Sequence, residues 1–154
     1  MLSQQELDQL AIDAAYVQML KSISEGGFPI GSSLMTRSGA IVAVGHNRRE
    51  QDGDTTAHGE MVAMRNAGRR RDWHELTLAT TLSPCAMCSG MTVLHRIPRV
   101  IIADNVNFQG RENWLRDAKV EVVLMPDERC IETMRAWIEK NPDRWGEDIG
   151  KPPT

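Results

Sequence analysis

The sequence predicts an α/β protein, a three-layer α/β/α sandwich whose central mixed sheet has about five strands. In the first third of the chain, two short apolar runs are separated by a glycine-containing turn, which predicts an antiparallel hairpin. The strand-like runs that follow alternate with helical patterns, which is typical of parallel pairing through crossover helices. A sheet that begins with a hairpin and continues with such crossovers is mixed, and helices cover both of its faces.

One domain is expected over residues 1–154. A chain of 154 residues can bury a sizeable core without disulfides. Hydrophobic residues make up 41% and charged residues 25%, which is near the globular average and argues against disorder, collagen-like repeats and a coiled coil. The sequence contains no internal repeat and no linker.

The first predicted element is an amphipathic helix. Ser3 and Glu6 have the spacing of a capping box, and Gly26-Gly27 ends the helical pattern. Apolar residues that recur at helical spacing between these two signals predict its apolar face, and they are Leu7, Leu10, Ala14, Val17 and Leu20.

The later elements are predicted from alternating patterns and from glycine and proline signals. The hairpin strands cover 32–37 and 40–45, with the turn at Ser38-Gly39. Then follow a polar loop at 47–56, a helix at 58–68, a strand at 76–82, a helix at 85–94, a strand at 100–103, a short helical piece around Trp114, a strand at 120–125, a helix from Asp127 to about Lys140, and an irregular tail at 141–154.

Charge and hydropathy exclude several classes of protein. The formal net charge is −3, and the basic residues are scattered apart from Arg69–Arg71, so no nucleic acid partner is expected. We interpret that arginine run as a solvated helix end. No window reaches the 18 apolar residues of a membrane span and no signal-peptide core is present, so no membrane partner and a cytoplasmic location are expected.

Three side chains have the character of ligands for one catalytic Zn²⁺ per chain. Catalytic zinc takes three protein ligands and leaves the fourth position for water. Cys85 and Cys88 lie three apart at a predicted helix start, where free amides and the macrodipole stabilise thiolates. His58 begins another predicted helix, and Glu60 lies where it can reach the open position and shuttle protons. Cys130 is expected to be a buried structural thiol.

The conjunction of the two motifs is more specific than either alone. His58-Gly59-Glu60 followed by Pro84-Cys85-Ala86-Met87-Cys88 has the form H-x-E then P-C-x-x-C, the signature of zinc-dependent nucleobase deaminases. The alternatives are a redox dithiol, a four-ligand structural zinc that uses Cys130 or another histidine, and coincidence. A redox dithiol leaves the H-x-E motif unexplained.

Further stretches extend the likeness almost end to end. The chain resembles the cytidine and cytosine deaminase superfamily, and most of all its zinc-dependent free-base cytosine deaminases of the fungal type. Besides the zinc motifs, the stretches that carry this resemblance are Gly26-Gly27-Phe28-Pro29-Ile30-Gly31, Gly45-His46-Asn47, Thr80-Thr81-Leu82-Ser83, Asn105-Val106-Asn107-Phe108, and Trp145 with Glu147-Asp148-Ile149-Gly150.

The resemblance implies roles for residues outside the zinc motifs. Asn47 would bond the amide edge of a pyrimidine, the Gly59 amide and the Ser83 carbonyl would hold the base, and Asp148 would receive its exocyclic amine. Residues 142–154 would form a carboxyl-terminal lid over the active site. The residues implied to line the ring pocket are Ile30, Phe108, Trp145 and Ile149. Gly146 and Lys151 depart from the fungal pattern, which puts the stiffness of the lid and the choice of substrate in doubt.

The resemblance further implies a homodimer that converts cytosine to uracil and ammonia in pyrimidine salvage. Isocytosine, creatinine, a triazine, guanine or a nucleoside is an alternative substrate, because a few pocket residues decide which ring is accepted. A tRNA adenosine deaminase would use the same zinc motif, although the acidic balance and the compact tail argue against it. A non-catalytic zinc or interaction module is an alternative from another class.

Overall fold

The computed structural model describes residues 1–153, and these contain five strands, seven α-helices and one 3₁₀ turn. The strands are β1 (Gly31–Thr36), β2 (Ile41–His46), β3 (Leu76–Thr80), β4 (Arg99–Ile102) and β5 (Glu121–Leu124). The helices are α1 (Gln4–Ser24), α2 (Arg49–Asp52), α3 (Gly59–Ala67), α4 (Ala86–Leu94), α5 (Glu112–Asp117), α6 (Glu128–Lys140) and α7 (Pro142–Asp148), and the 3₁₀ turn is Trp73–Glu75.

One mixed sheet organises the chain, as predicted. Its strand order is β2-β1-β3-β4-β5. β1 pairs antiparallel with β2 and β3, whereas β3–β4 and β4–β5 are parallel. The hairpin turn contains Gly39 at a φ of 96°, a value that glycine adopts without strain.

Two apolar clusters, one on each face of the sheet, confirm the three-layer architecture. On one face, α1 and α6 supply Ile12 and Met134, which pack with Ile101 of β4. On the other face, Ala63 of α3 and Met91 of α4 belong to the second cluster. Cys130 is fully buried in the first cluster, which confirms that it is a structural thiol. No helix of residues 1–153 is long and apolar enough to cross a bilayer.

The helix α1 forms where predicted, with the Ser3 capping box, but of its predicted apolar face Leu7 alone among the large residues packs against the core. Leu10, Val17 and Leu20 are exposed, and the face toward the sheet instead consists of Asp8, Ala11, Ile12, Ala15, Met19 and Ser22. Small residues bring the helix onto the sheet: a β-carbon on Gly31 would overlap the Ala15 carbonyl oxygen. Close backbone contact favours alanine, so the spacing of large apolar residues is misleading here.

Two further helices differ from the predictions. The tail is not irregular, because α7 covers Pro142–Asp148 with proline at its start, where the missing N–H costs nothing. The polar loop contains α2, a single turn. Arg69–Arg71 directly follow Gly68, the C-cap of α3, which agrees with their interpretation as a helix end. Thr154, the last residue of the predicted lid, lies outside the described residues.

Candidate functional site

Two helix starts bring the predicted zinc ligands together. His58 is the N-cap of α3, and Cys85 is the N-cap of α4 with Cys88 in the first turn. Each helix leaves its first amide groups without intrahelical partners, and its macrodipole places positive charge there. Both effects favour the anionic ligands of a metal.

The three ligand atoms fit a single zinc ion. They lie within 4.8 Å of one another, and His58 Nδ1 lies 3.4 Å from Cys85 Sγ. Zinc–sulfur bonds of about 2.3 Å and zinc–nitrogen bonds of about 2.0 Å in a tetrahedron place ligands roughly 3.4–3.8 Å apart. One imidazole and two thiolates leave the fourth position for water. Within residues 1–153 no other set of His, Cys, Asp and Glu side chains converges in this way.

Burial and hydrogen bonds within the site shift the pKa values of all three predicted ligands. A hydrogen bond with Cys88 lowers the pKa of Cys85, and a hydrogen bond with His58 acts in the same direction. Burial opposes both, but the net pKa of Cys85 falls to about 4. Burial opposes the charged form of His58, but Cys85 and Asp148 outweigh it and raise the pKa of His58 to about 9. The hydrogen bond with Cys85, together with burial, raises the pKa of Cys88 well above its ordinary value. Zinc ligands bind deprotonated, so metal binding would release these protons.

Glu60 is the buried acid of the site. It lies in the first turn of α3 and is almost completely buried. Burial and the nearby Cys85 raise the pKa of its carboxyl to about 7. A carboxyl group in such surroundings can both accept and donate a proton near neutral pH.

A small inner chamber lies directly beside these residues. It measures about 20 Å³ and shares five lining residues with an outer cavity of about 490 Å³, which Thr55, Met87 and Arg111 also line. Ile30, Ser83, Phe108, Asp148 and Ile149 line the inner chamber together with Leu82, His58, Glu60 and Cys85. The other predicted site residues, Asn47, Gly59, Cys88 and Trp145, are not part of its lining.

Asn47, Trp145 and Gly59 lie behind the residues that line the chamber and contact them. Asn47 donates from Nδ2 to Asp148 Oδ1 at 3.0 Å, and its own Oδ1 accepts from the Arg49 backbone N–H at 2.9 Å. Trp145 packs edge-on against Phe108, with ring centroids 5.7 Å apart. Gly59 is the first residue of α3, beside the Ile30 carbonyl oxygen.

Asp148 joins the tail to the metal ligands. Its Oδ1 lies 3.5 Å from His58 Nε2, the ring nitrogen that does not face Cys85. A carboxylate in this position orients a ligating imidazole and raises its basicity. The tail therefore contributes to the geometry of the centre.

The pattern of residues did not reveal two supporting side chains. Glu112, buried on α5, accepts a hydrogen bond of 2.5 Å from the Ser83 hydroxyl, which in turn accepts from the Gly110 N–H. A β-carbon on Gly110 would overlap the Pro84 carbonyl oxygen, so glycine lets this loop lie against the cysteine turn. Arg49 donates from Nε to Asp148 Oδ1 at 3.1 Å. A buried acid far from the motif and an arginine in a polar loop carry no specific sequence signal.

A sandwich with one histidine and two cysteines at helix starts, plus a buried glutamate, defines a zinc-dependent deaminase centre. The family model described as the cytidine and deoxycytidylate deaminase zinc-binding region matches residues 5–104, and the chain belongs to this family. It is 42% identical to a cytosine deaminase of Candida albicans over 146 residues, which cover 94% of this chain and 97% of that protein.

More distant relatives agree with the family. The chain is 39% identical over 97 residues to a tRNA-specific adenosine deaminase of Streptococcus pyogenes, covering 60% of each chain. The solved structure of a guanine deaminase from Nitrosomonas europaea has a TM-score of 0.66 at 20% identity and covers 89% of this chain and 85% of that one. At 20% identity, the likeness to the guanine deaminase structure shows the fold alone.

Proposed function

We propose that this zinc-dependent deaminase hydrolyses the free base cytosine to uracil and ammonia. One observation carries the proposal: the chain is 42% identical to a cytosine deaminase over 94% of its length. The position of Asp148 beside Asn47 and His58 at the inner chamber supports it. The identity to the tRNA-specific relative covers only 60% of the chain. The more extensive identity therefore favours a small base over a tRNA.

Glu60 acts as the proton shuttle in this proposal. When bound, zinc supplies a Lewis acid that lowers the pKa of water toward about 7. Glu60 takes one proton from the attacking water and delivers it to the ring nitrogen beside the attacked carbon, which makes that carbon more electrophilic. It then carries the second water proton to the exocyclic amine, which leaves as ammonia while the oxygen stays on the ring.

The substrate contacts are assigned on chemistry and position. Asn47 has one amide hydrogen and one lone pair left for a base, because the protein uses the others. The Gly59 N–H is among the unpaired amides of the α3 start. In the proposed complex, the Gly59 N–H and the Ser83 carbonyl hold the base, and Asp148 accepts a hydrogen bond from its exocyclic amine. Ile30, Phe108 and Ile149 contact the ring, and Trp145 lies behind Phe108.

Residues 142–154 are proposed to open as a lid. The inner chamber of about 20 Å³ has room for a water molecule, which needs roughly 10–15 Å³, but not for a six-membered ring. Asp148, the last residue of α7, and Ile149 line the chamber from one side, and Trp145 of α7 packs against Phe108 of the lining. Movement of this segment would admit the base, and its return would exclude water.

A homodimer is proposed through the layer that contains the zinc motifs. On α4, Leu94 is 75% exposed, and the Trp114 ring of α5 lies next to Gly90 and is itself partly exposed. Gly90 and Leu94 lie one turn apart on α4, the helix that begins at the cysteine ligands, and with Trp114 they give this layer an apolar surface. A second copy of the chain would cover this surface, as is common for symmetric oligomers.

A cytoplasmic location and a role in pyrimidine salvage complete the proposal, with no polynucleotide or membrane as partner. Two thiolate ligands and a third free cysteine suit a reducing compartment.

Turnover by the zinc-loaded protein tests the function. Ammonia release is measured with cytosine, isocytosine, creatinine, guanine and cytidine. We expect the highest kcat/KM with cytosine. Faster release from another ring would reassign the substrate, and no release from any of them would refute the proposed deamination of a small ring. Salt-dependent binding of tRNA together with inosine formation would favour the tRNA alternative instead.

A further inference from the structure

Arg49 lies outside both zinc motifs and outside the proposed substrate contacts. Its side chain is only 11% exposed and donates from Nε to Asp148 Oδ1 at 3.1 Å. We propose that Arg49 is a positioning residue that holds the Asp148 carboxylate by Oδ1 and so presents Oδ2 to the exocyclic amino group of the substrate. This proposal rests on the proposed function of Asp148.

The side-chain hydrogen bonds that Asp148 accepts all go to one carboxylate oxygen, Oδ1. Oδ1 accepts from Asn47 Nδ2 at 3.0 Å and from Arg49 Nε at 3.1 Å, and His58 Nε2 lies 3.5 Å from the same atom. Within residues 1–153, no donor lies within hydrogen-bond distance of Oδ2. A carboxylate has about four lone-pair sites on its two oxygens, so the second oxygen keeps its full capacity to accept. Asp148 lines both the inner chamber and the outer cavity.

Arg49 itself is held from a second side. Its Nη2 donates to the Thr55 carbonyl oxygen at 3.2 Å, in the loop that leads to His58. The guanidinium is planar and carries donors in fixed, divergent directions, so one group can hold both this loop and the carboxylate. A lysine ammonium lacks this forked, planar arrangement of donors and cannot hold both partners in the same way.

The same residue also orients the second proposed recognition group. Its backbone N–H donates to Asn47 Oδ1 at 2.9 Å, which fixes the direction of the Asn47 amide. Arg49 therefore aligns Asn47 through the main chain and Asp148 through the side chain. A buried carboxylate also requires a compensating charge, and Arg49 supplies the adjacent cation.

A contact with the other acid of the tail is weaker. Arg49 Nη1 lies 3.8 Å from Glu147 Oε1, and the Glu147 side chain is 58% exposed. Exposed pairs of this kind contribute little. A substitution of Glu147 therefore distinguishes two roles of Arg49: general attachment of the tail, and specific alignment of Asp148.

The test compares two ligands in four variants. For the base that the wild type deaminates, kcat and KM are measured, and for the same ring without its amino group the competitive inhibition constant is measured. In Arg49→Met we expect zinc to remain at one per chain, kcat/KM to fall about 10–100-fold, and the inhibition constant to change less than about 2-fold. Arg49→Lys should recover only part of the loss, because it keeps the charge without the fork.

Two matched variants serve as controls. Arg48→Met removes the neighbouring arginine, which pairs with Asp52 on α2, and Glu147→Gln removes the exposed acid. Both should keep kcat/KM within about 2-fold of the wild type. Equal losses for both ligands in Arg49→Met, or the same loss in Glu147→Gln, would overturn the positioning role. Inactivity of the wild type on every small ring would overturn the proposed function, and this proposal with it.

Discussion

Asn47 and Asp148 are 101 residues apart in the chain, yet their side chains share a hydrogen bond of 3.0 Å. The first residue follows β2 and the second ends α7, and His58 Nε2 lies 3.5 Å from the same carboxylate oxygen. The tail is thereby tied to both the proposed base-recognition site and the metal site.

Glu60→Ala should retain zinc but lose most turnover. Glu60 is not among the three converging ligands, and general acid–base transfer contributes typically ~10²–10⁴-fold. Metal analysis and kcat on cytosine check this together. Glu132→Ala, on the exposed part of α6, is the matched control and should behave as the wild type. Near-normal kcat in Glu60→Ala would refute the shuttle role.

Asp148→Ala should damage recognition of the amino group more than zinc content. The substitution removes the acceptor for the exocyclic amine and leaves Arg49 without its carboxylate partner. We expect KM for cytosine to rise at least about tenfold while zinc stays near one per chain. Asp143→Ala, an exposed aspartate on the same helix, controls for changes to α7. Unchanged kinetics on cytosine in Asp148→Ala would contradict the assignment.

Cys85→Ala and Cys130→Ala should separate metal binding from packing. Cys85 supplies one of three ligands, so its loss should leave the purified protein with far less than one zinc per chain and a lower Tm. Cys130 is buried in the apolar cluster beneath α6, so its truncation should keep zinc and cost about 1 kcal/mol of unfolding free energy. Metal analysis and thermal unfolding measure both effects. Loss of zinc in Cys130→Ala would show that the ligand set is incomplete.

Asp8 on α1 and Arg99 on β4 form a buried ion pair, with Nη2 to Oδ2 at 2.7 Å. Burial raises the pKa of the Asp8 carboxyl, but hydrogen bonds from Arg99 and Gln4 lower it by more, so its net pKa lies below the ordinary value. The stability from this carboxylate is therefore present above the unfolded pKa of about 3.9 and is lost as pH falls through the folded pKa.

Asp8→Asn should accordingly lower the unfolding free energy by about 1–3 kcal/mol at neutral pH, and by less as pH falls below about 4. Urea denaturation at both pH values measures the difference between variant and wild type. Asp117→Asn, on the exposed end of α5, is the control and should show no such change. A difference that stays constant with pH would exclude the ionised pair as its source.

Leu94→Glu should dissociate the proposed dimer. A buried, unpaired carboxylate at the centre of an apolar interface is costly, whereas on a free surface it is tolerated. Sedimentation measures the mass. Leu10→Glu changes an equally apolar, exposed residue on α1, on the opposite face of the sheet, and should leave the mass unchanged. A wild type that sediments as a monomer would refute the dimer.

Much of the fold and the metal site could be predicted from local sequence. Each strand lies within about two residues of its predicted position, because apolar runs and turn signals are local properties. The zinc ligands were predictable because two local motifs, H-x-E and P-C-x-x-C, occur together and name His58, Cys85 and Cys88.

Packing decided what local patterns could not. The apolar spacing of α1 indicates the wrong face, because Ala15 lies at the close approach to β1 and Ile12 and Met19 supply the buried apolar side chains. The tail was predicted to be irregular, although its Pro142 start was a usable signal; α7 forms because burial of Trp145 against Phe108 stabilises a short segment that has little helical stability alone.

The sequence by itself determined the fold class, the three metal ligands and the proton-shuttle candidate Glu60, since each depends on residue type and local spacing. Only the tertiary structure decided which residues support them. Arg49 and Asp148 meet because α7 returns across the site, and Glu112 reaches Ser83 because α5 packs beside the cysteine turn. Contacts between residues far apart in the chain depend on how helices and strands pack, which local spacing does not encode.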